Sequence, residues 1–180
     1  RVPDHSAVTA SKHGYAPAAM NVSERDFERG AEIVLLLERH NPFVIVLEER
    51  PVVHHLGNDE FSGRVNSQFQ RMSEGKRLTM RFALDGHVLA RATRSRLELM
   101  AKGVQLDNPV YVNGRRLRRT LPASPDDGSF EGVRLMVPLG WLVDGPNEIE
   151  FRSVRSPTTD VDDYEFVNVR VVLEPGEVGL

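Results

Sequence analysis

Apolar and polar residues alternate along most of the chain with the two-residue period of a β-strand. Leu78, Met80, Phe82 and Leu84 share one face of the segment 78–84, and Thr79, Arg81 and Ala83 share the other. Asp85-Gly86 then supplies a turn. Leu97-Glu98-Leu99-Met100 continues a strand that starts near Ala92. Val110-Tyr111-Val112 runs into Asn113-Gly114 and a returning strand, and Asn-Gly suits a type I′ hairpin because both central residues need positive φ. Phe130 to Val137 reads as a strand ended by Pro138. Asn147 to Ser153 alternates with Ile149 and Phe151 on one face, and Phe166 to Leu173 is the last strand. Upstream, Ile33 to Glu38 and Phe43 to Glu49 flank Arg39-His40-Asn41-Pro42 and predict a hairpin. Ser23-Glu24-Arg25-Asp26 could cap a competing helix, but Gly30 and the unbroken apolar run favour one helical turn at most. Roughly eight or more strands, with no long amphipathic helix, predict an antiparallel sandwich or barrel. A parallel α/β sheet would need crossover helices that the pattern lacks.

Residues 1–22 are rich in Ala, Ser, Pro and Gly and carry neither period, which predicts an extended arm or linker. Residues 23–180 are then one domain, a size that buries its own core without a disulfide or metal. The chain opens on Arg1, as a fragment or a processed product does, so the sequence leaves the compartment open. Charge changes the picture by subtraction: 23 Lys+Arg against 26 Asp+Glu gives a net −3, which argues against nucleic acid as a partner. The longest apolar run, Ile33 to Leu37, is far short of the ~18 residues of a membrane-inserted helix. Without cysteine there is no thiol nucleophile and no thiolate zinc site.

The second half has a recognisable order. A strand holds Leu97 and Leu99, and Pro109-Val110-Tyr111-Val112-Asn113-Gly114 follows. Then come Leu139-Gly140-Trp141-Leu142-Val143-Asp144-Gly145-Pro146-Asn147-Glu148-Ile149 and the closing Asp162-Asp163-Tyr164-Glu165-Phe166-Val167-Asn168-Val169-Arg170-Val171. From about residue 78 to 174 this resembles the galactose-binding-like jelly-roll superfamily, to which many carbohydrate-binding modules belong. Its members often carry a Val-Asn-Gly strand end and a Leu-x-x-Gly-x-Asn-x-Ile segment. Leu142, Gly145, Asn147 and Ile149 stand in those places. The resemblance implies an all-β, antiparallel jelly-roll sandwich, here with an extended N-terminal arm. The residues themselves imply fold-building roles: Leu139, Trp141 and Leu142 plug a sandwich end, Gly145 turns, Asn147 bonds local backbone and Ile149 re-enters the core.

Four clusters carry candidate chemistry. His54 and His55 are a tempting metal pair, but neighbours on a strand point to opposite faces; one of them could join Asp59 or Glu60. The bland reading is a polar strand end beside a solvated turn. Asp160, Asp162 and Asp163, with Glu165, are dense enough in hard oxygens to hold calcium, and the resemblance implies a structural calcium near one end. The alternative is a solvated loop. Arg115, Arg116, Arg118 and Arg119 form a basic hairpin that could take an acidic glycan, a carboxylate or a partner protein's acidic loop, or could simply guard a sheet edge. Tyr164 is the best exposed aromatic for a sugar, because Trp141 is the only tryptophan and sits in an apolar segment.

No nucleophile elbow, phosphate loop or HExxH motif gives catalysis a foothold. The expectation is a non-catalytic binding module for carbohydrate or another extracellular polymer, with Arg115, Arg116 and Tyr164 as ligand contacts. An extracytoplasmic setting, secreted or periplasmic, fits that reading. The alternative is an assembly domain that contacts a partner protein, with a hydrolase a distant third.

Overall fold

Strand alternation is realised almost segment for segment in the computed structural model, which describes residues 5–10, 18–23, 35, 41–60, 69, 71–155 and 160–176. Two compact units divide the chain: Arg1–Pro42 with Glu48–Pro51, and Phe43–Leu47 with Val52–Leu180. In the first, β1 (His5–Ala10) pairs antiparallel with β2 (Ala18–Ser23), from His5 opposite Ser23 to Ala10 opposite Ala18. The segment expected as an extended arm therefore contains a hairpin. Its strands are masked in sequence by Ala and Ser, which have little strand preference. The predicted strand Ile33 to Glu38, apart from Leu35, lies outside the described residues, as does most of the competing helix beyond its start at Ser23, which is the last residue of β2.

The second unit is the sandwich. One sheet is built from β3 (Val44–Val46), β4 (His54–Leu56), β6 (Ala92–Lys102), β9 (Glu131–Val137) and β11 (Tyr164–Pro175). Its order is β3-β11-β6-β9, with β4 also paired to β11. The other contains β5 (Arg77–Leu84), β7 (Val110–Val112), β8 (Arg115–Arg116) and β10 (Gly145–Arg152), in the order β5-β10-β7-β8. All pairings are antiparallel. The architecture is an all-β jelly-roll sandwich, as the resemblance implies.

The core lies between the sheets. Met80, Phe82 and Leu84 from β5 and Ile149 and Phe151 from β10 meet Leu97 and Leu99 from β6 and Val133, Leu135 and Val137 from β9. Chain β11 reaches that core on both sides of a bulge. Tyr164 and Phe166 point inward before it, Val169, Val171 and Leu173 after it, so the inward parity changes from even to odd. Asn168, at φ 60°, absorbs the extra residue. The bulge also separates the stretch that pairs with β4, Tyr164 to Phe166, from the stretch that pairs with β3, Arg170 to Val172.

Turn chemistry follows the residues. Asn113 and Gly114 have φ 48° and 75°, the two positive values that a type I′ turn requires. The expected turn at Asp85-Gly86 opens instead into a short helix, α1 (Gly86–Ala90), because the Asp85 carboxylate accepts the His87 amide at 2.7 Å as an N-cap. A 3₁₀ turn, Leu139–Trp141, closes one end of the sandwich. Among the described residues no helix is long and apolar enough to cross a membrane.

Candidate functional site

Strand β4, the loop after it, the segment 71–75 and the residues leading into β11 converge at one end of the sandwich. His54 and His55 do face opposite ways. The His54 ring lies 5.3 Å from the Phe166 ring on the core side, and its Nδ1 is 3.1 Å from Glu74 Oε1. His55 stands on the other face, opposite Glu165. Neither is a solvated strand end: His54 is 8% exposed and His55 is wholly buried.

The His55 ring is held at both nitrogens. Nδ1 donates to the Arg71 carbonyl at 2.6 Å, and Nε2 lies 2.9 Å from Asp163 Oδ1. The Asp59 carboxylate stands 3.6 Å from Nδ1. Phe69 stacks on the imidazole at 4.4 Å. Asp163 Oδ1 also accepts the amides of Asn58 at 3.0 Å and Asp59 at 2.9 Å, so one carboxylate ties the loop after β4 to the start of β11. Asp59 accepts the Ser73 amide at 2.9 Å. Gly57 leaves room for this arrangement, since a Cβ there would sit 1.9 Å from Asp163 Oδ1. His55, Asp59 and Asp163 each place a ligand atom within 4.8 Å of the others'.

The expected calcium set does not form as such. Asp163 belongs to the His55 cluster, whereas Asp162 turns the other way. Its Oδ2 accepts the amides of Gln105 and Leu106 at 3.0 Å and the Asn108 side chain at 2.5 Å. Asp160 Oδ1 accepts the Val161 amide. Alternation forces this split, because consecutive side chains entering a strand diverge. Burial raises the Asp162 carboxyl above its ordinary range, and the backbone amides of Leu106 and Gln105 offset only part of that. Burial likewise raises Asp163 against the pull of the Asp59 and Asn58 amides. The loop is thus not solvated either: both carboxylates are 5% exposed and organise backbone.

Beside this cluster, Lys102 and Glu165 form a buried ion pair at 2.8 Å. The Lys102 ammonium lies 5.0 Å from the Phe130 ring and 5.9 Å from the Phe69 ring. Tyr164 is not the exposed sugar contact that its acidic neighbours suggest: it is wholly buried, in the core beside Phe166 at 6.0 Å. Its hydroxyl is pushed far up by burial, with Asp162 adding to the effect.

The Arg-rich hairpin sits at the opposite end. Arg115, Arg116, Arg118 and Arg119 are all exposed, and β8 is an edge strand. The Arg115 guanidinium lies 5.9 Å from the centroid of the half-buried Trp141 ring. Asn113 fastens the hairpin to this end. Its Nδ2 donates to the Trp141 carbonyl and to Asn147 Oδ1, both at 2.8 Å, and its Oδ1 accepts the Glu148 amide at 2.9 Å. Asn147 bonds Val143 and Gly145 as the sequence predicts. On the adjoining sheet face Arg116 stands opposite Tyr111, whose ring is covered by Arg152 at 4.0 Å. Arg152 in turn forks onto Glu150 at 2.7 and 3.0 Å.

Sequence reasoning missed the Arg115–Trp141 contact and the pairing of His55 with Asp163. The residues join 108 positions apart in the second case, and no local spacing encodes that. The association of Asp59 with one of the two histidines was legible from their nearness.

Neither a protein-family model nor a curated protein matches the chain. Among solved structures, the native family 35 carbohydrate binding module from Clostridium thermocellum is similar, at 12% identity over 71% of this chain and 96% of that one, with a TM-score of 0.40. A β-porphyranase of glycoside hydrolase family 86 from Bacteroides plebeius is similar at 12% identity over 70% of this chain and 21% of its own, with a TM-score of 0.36. The GH26-CBM35 β-(1,4)-mannanase of Podospora anserina is similar at 15% identity over 72% of this chain and 28% of its own, with a TM-score of 0.34. At such identities and TM-scores the likeness carries no argument about function, and the fold rests on the chain's own strand order.

Proposed function

We propose that the chain is a non-catalytic, extracytoplasmic binding module that holds an acidic carbohydrate through Arg115 and Arg116. The observation that carries this reading is the hairpin end itself, where four exposed arginines stand beside a half-buried indole and one guanidinium lies over that indole. A guanidinium grips a carboxylate or sulfate with a two-point fork. A partly exposed indole offers an apolar face to the C–H groups of a sugar ring. Simple edge protection needs charge but not a guanidinium set against an aromatic. The buried carboxylate of Asp162 supports a non-catalytic reading, because backbone amides and the Asn108 side chain already occupy it.

Affinity electrophoresis and calorimetry with polygalacturonate, alginate, a sulfated polysaccharide and a neutral glucan test it. The acidic polymers retain the protein, added salt weakens retention, and the neutral glucan does not retain it. Arg115→Ala combined with Arg116→Ala lowers affinity by about tenfold or more. Retention by none of these polymers, or unchanged retention of the double variant, overturns the reading.

A further inference from the structure

The His55 cluster lies at the end of the sandwich away from the arginine hairpin, and its polar atoms do not all pair with one another. The Arg71 carbonyl can only accept, so the 2.6 Å contact places a hydrogen on His55 Nδ1. In a neutral ring Nε2 is then a bare acceptor, and 2.9 Å away it meets a carboxylate oxygen, another acceptor. Two facing acceptors need something shared between them: a proton, on the ring or on the carboxyl, or a metal ion.

A second observation points the same way. Asp163 is 5% exposed, yet its Oδ2 is buried with no hydrogen-bond partner. A buried carboxylate oxygen without a partner is costly unless something fills the place. The surroundings suit a ligand histidine, since Nδ1–H donated to a backbone carbonyl fixes the tautomer and aims Nε2. Asp59, whose side chain is 33% exposed, leaves a route for entry.

We infer that His55, Asp59 and Asp163 bind one divalent ion of the zinc class. An imidazole with two carboxylates is a donor set for borderline ions, whereas calcium takes oxygen ligands almost exclusively. Three protein donors leave a further position for water. The site braces the loop after β4 against the start of β11, and it is independent of the glycan reading.

The test uses the chain stripped with chelator and dialysed at about pH 7.5. Zinc is titrated against a chromophoric indicator, and melting is followed by circular dichroism. One zinc per chain is expected. At roughly 100-fold excess over Kd the melting temperature rises by about 5 °C or more. Asp59→Asn keeps an oxygen for the Ser73 amide and so retains the fold, but it weakens zinc about tenfold or more. His55→Gln abolishes uptake where it folds. Absence of a zinc shift, zinc uptake that Asp59→Asn leaves unchanged, or a calcium shift equal to or larger than the zinc shift overturns the inference.

Discussion

Replacing Asn147 is expected to lower stability in an order that its hydrogen bonds dictate. Asn147 is 3% exposed and makes four contacts. Its Oδ1 accepts from the Val143 amide and Asn113 Nδ2, and its Nδ2 donates to the carbonyls of Val143 and Gly145. Asn147→Ala orphans these groups, although Asn113 keeps the Trp141 carbonyl and the exposed side of residues 143–145 admits water. The cost is then about 2–3 kcal/mol, near the lower end of what the lost partners could total. Asn147→Asp keeps the shape and both acceptor contacts but turns an oxygen toward two carbonyls and buries a charge, for about 3–5 kcal/mol. At ~2–4 °C per kcal/mol for a chain of this size, the alanine variant melts roughly 5–10 °C lower and the aspartate variant lower still at pH 7. Thermal and urea unfolding by circular dichroism measure both, with the urea slope unchanged if only the native state is affected. The aspartate deficit narrows in acid, because a protonated carboxyl can donate to one of the carbonyls. An alanine variant within about 0.5 kcal/mol of the parent would refute the reasoning, as would an aspartate variant more stable than the alanine one at pH 7.

Other outcomes follow from the same geometry. Asp162→Ala orphans the Gln105 and Leu106 amides and the Asn108 side chain, and costs about 3 kcal/mol or more, whereas Asp162→Asn stays within about 1 kcal/mol; equal losses in urea titration count against the acceptor role. Gly57→Ala drives a Cβ into the Asp163 carboxylate and costs about 2–4 kcal/mol, so a neutral effect on melting removes the close-packing claim. Glu98 accepts from Arg96 at 2.6 Å and Arg170 at 2.8 Å; burial pushes its carboxyl up, but these arginines bring it below its ordinary 4.5. Its contribution is therefore present above that ordinary value and fades as pH falls through the lower folded value, so Glu98→Gln flattens this part of the acid limb of the stability curve. An acid limb of unchanged slope in the variant contradicts that assignment.

Strand alternation, the Asn-Gly turn and the turn at Gly145 depend on neighbours within a few residues, so β5, β6, β7, β9, β10 and the end of β11 were legible from the residues alone. Local chemistry also gave Asn147 its backbone contacts and Ile149 its place in the core. The candidate sites were less legible. Asp160, Asp162 and Asp163 share a short stretch, but backbone direction sends the last two carboxylates to different partners. Tyr164 looks exposed beside so many acids, and only pairing with β4 and β6, together with the bulge at Asn168, turns it into the core. His55 meets Asp163 because β4 lies along β11, and Arg115 meets Trp141 because Asn113 ties the hairpin to the 3₁₀ turn. The physical division is one of range. Period and turn preference are properties of adjacent residues, whereas the inward face of a bulged strand and the meeting of side chains 108 positions apart exist only once the sheets have closed on each other.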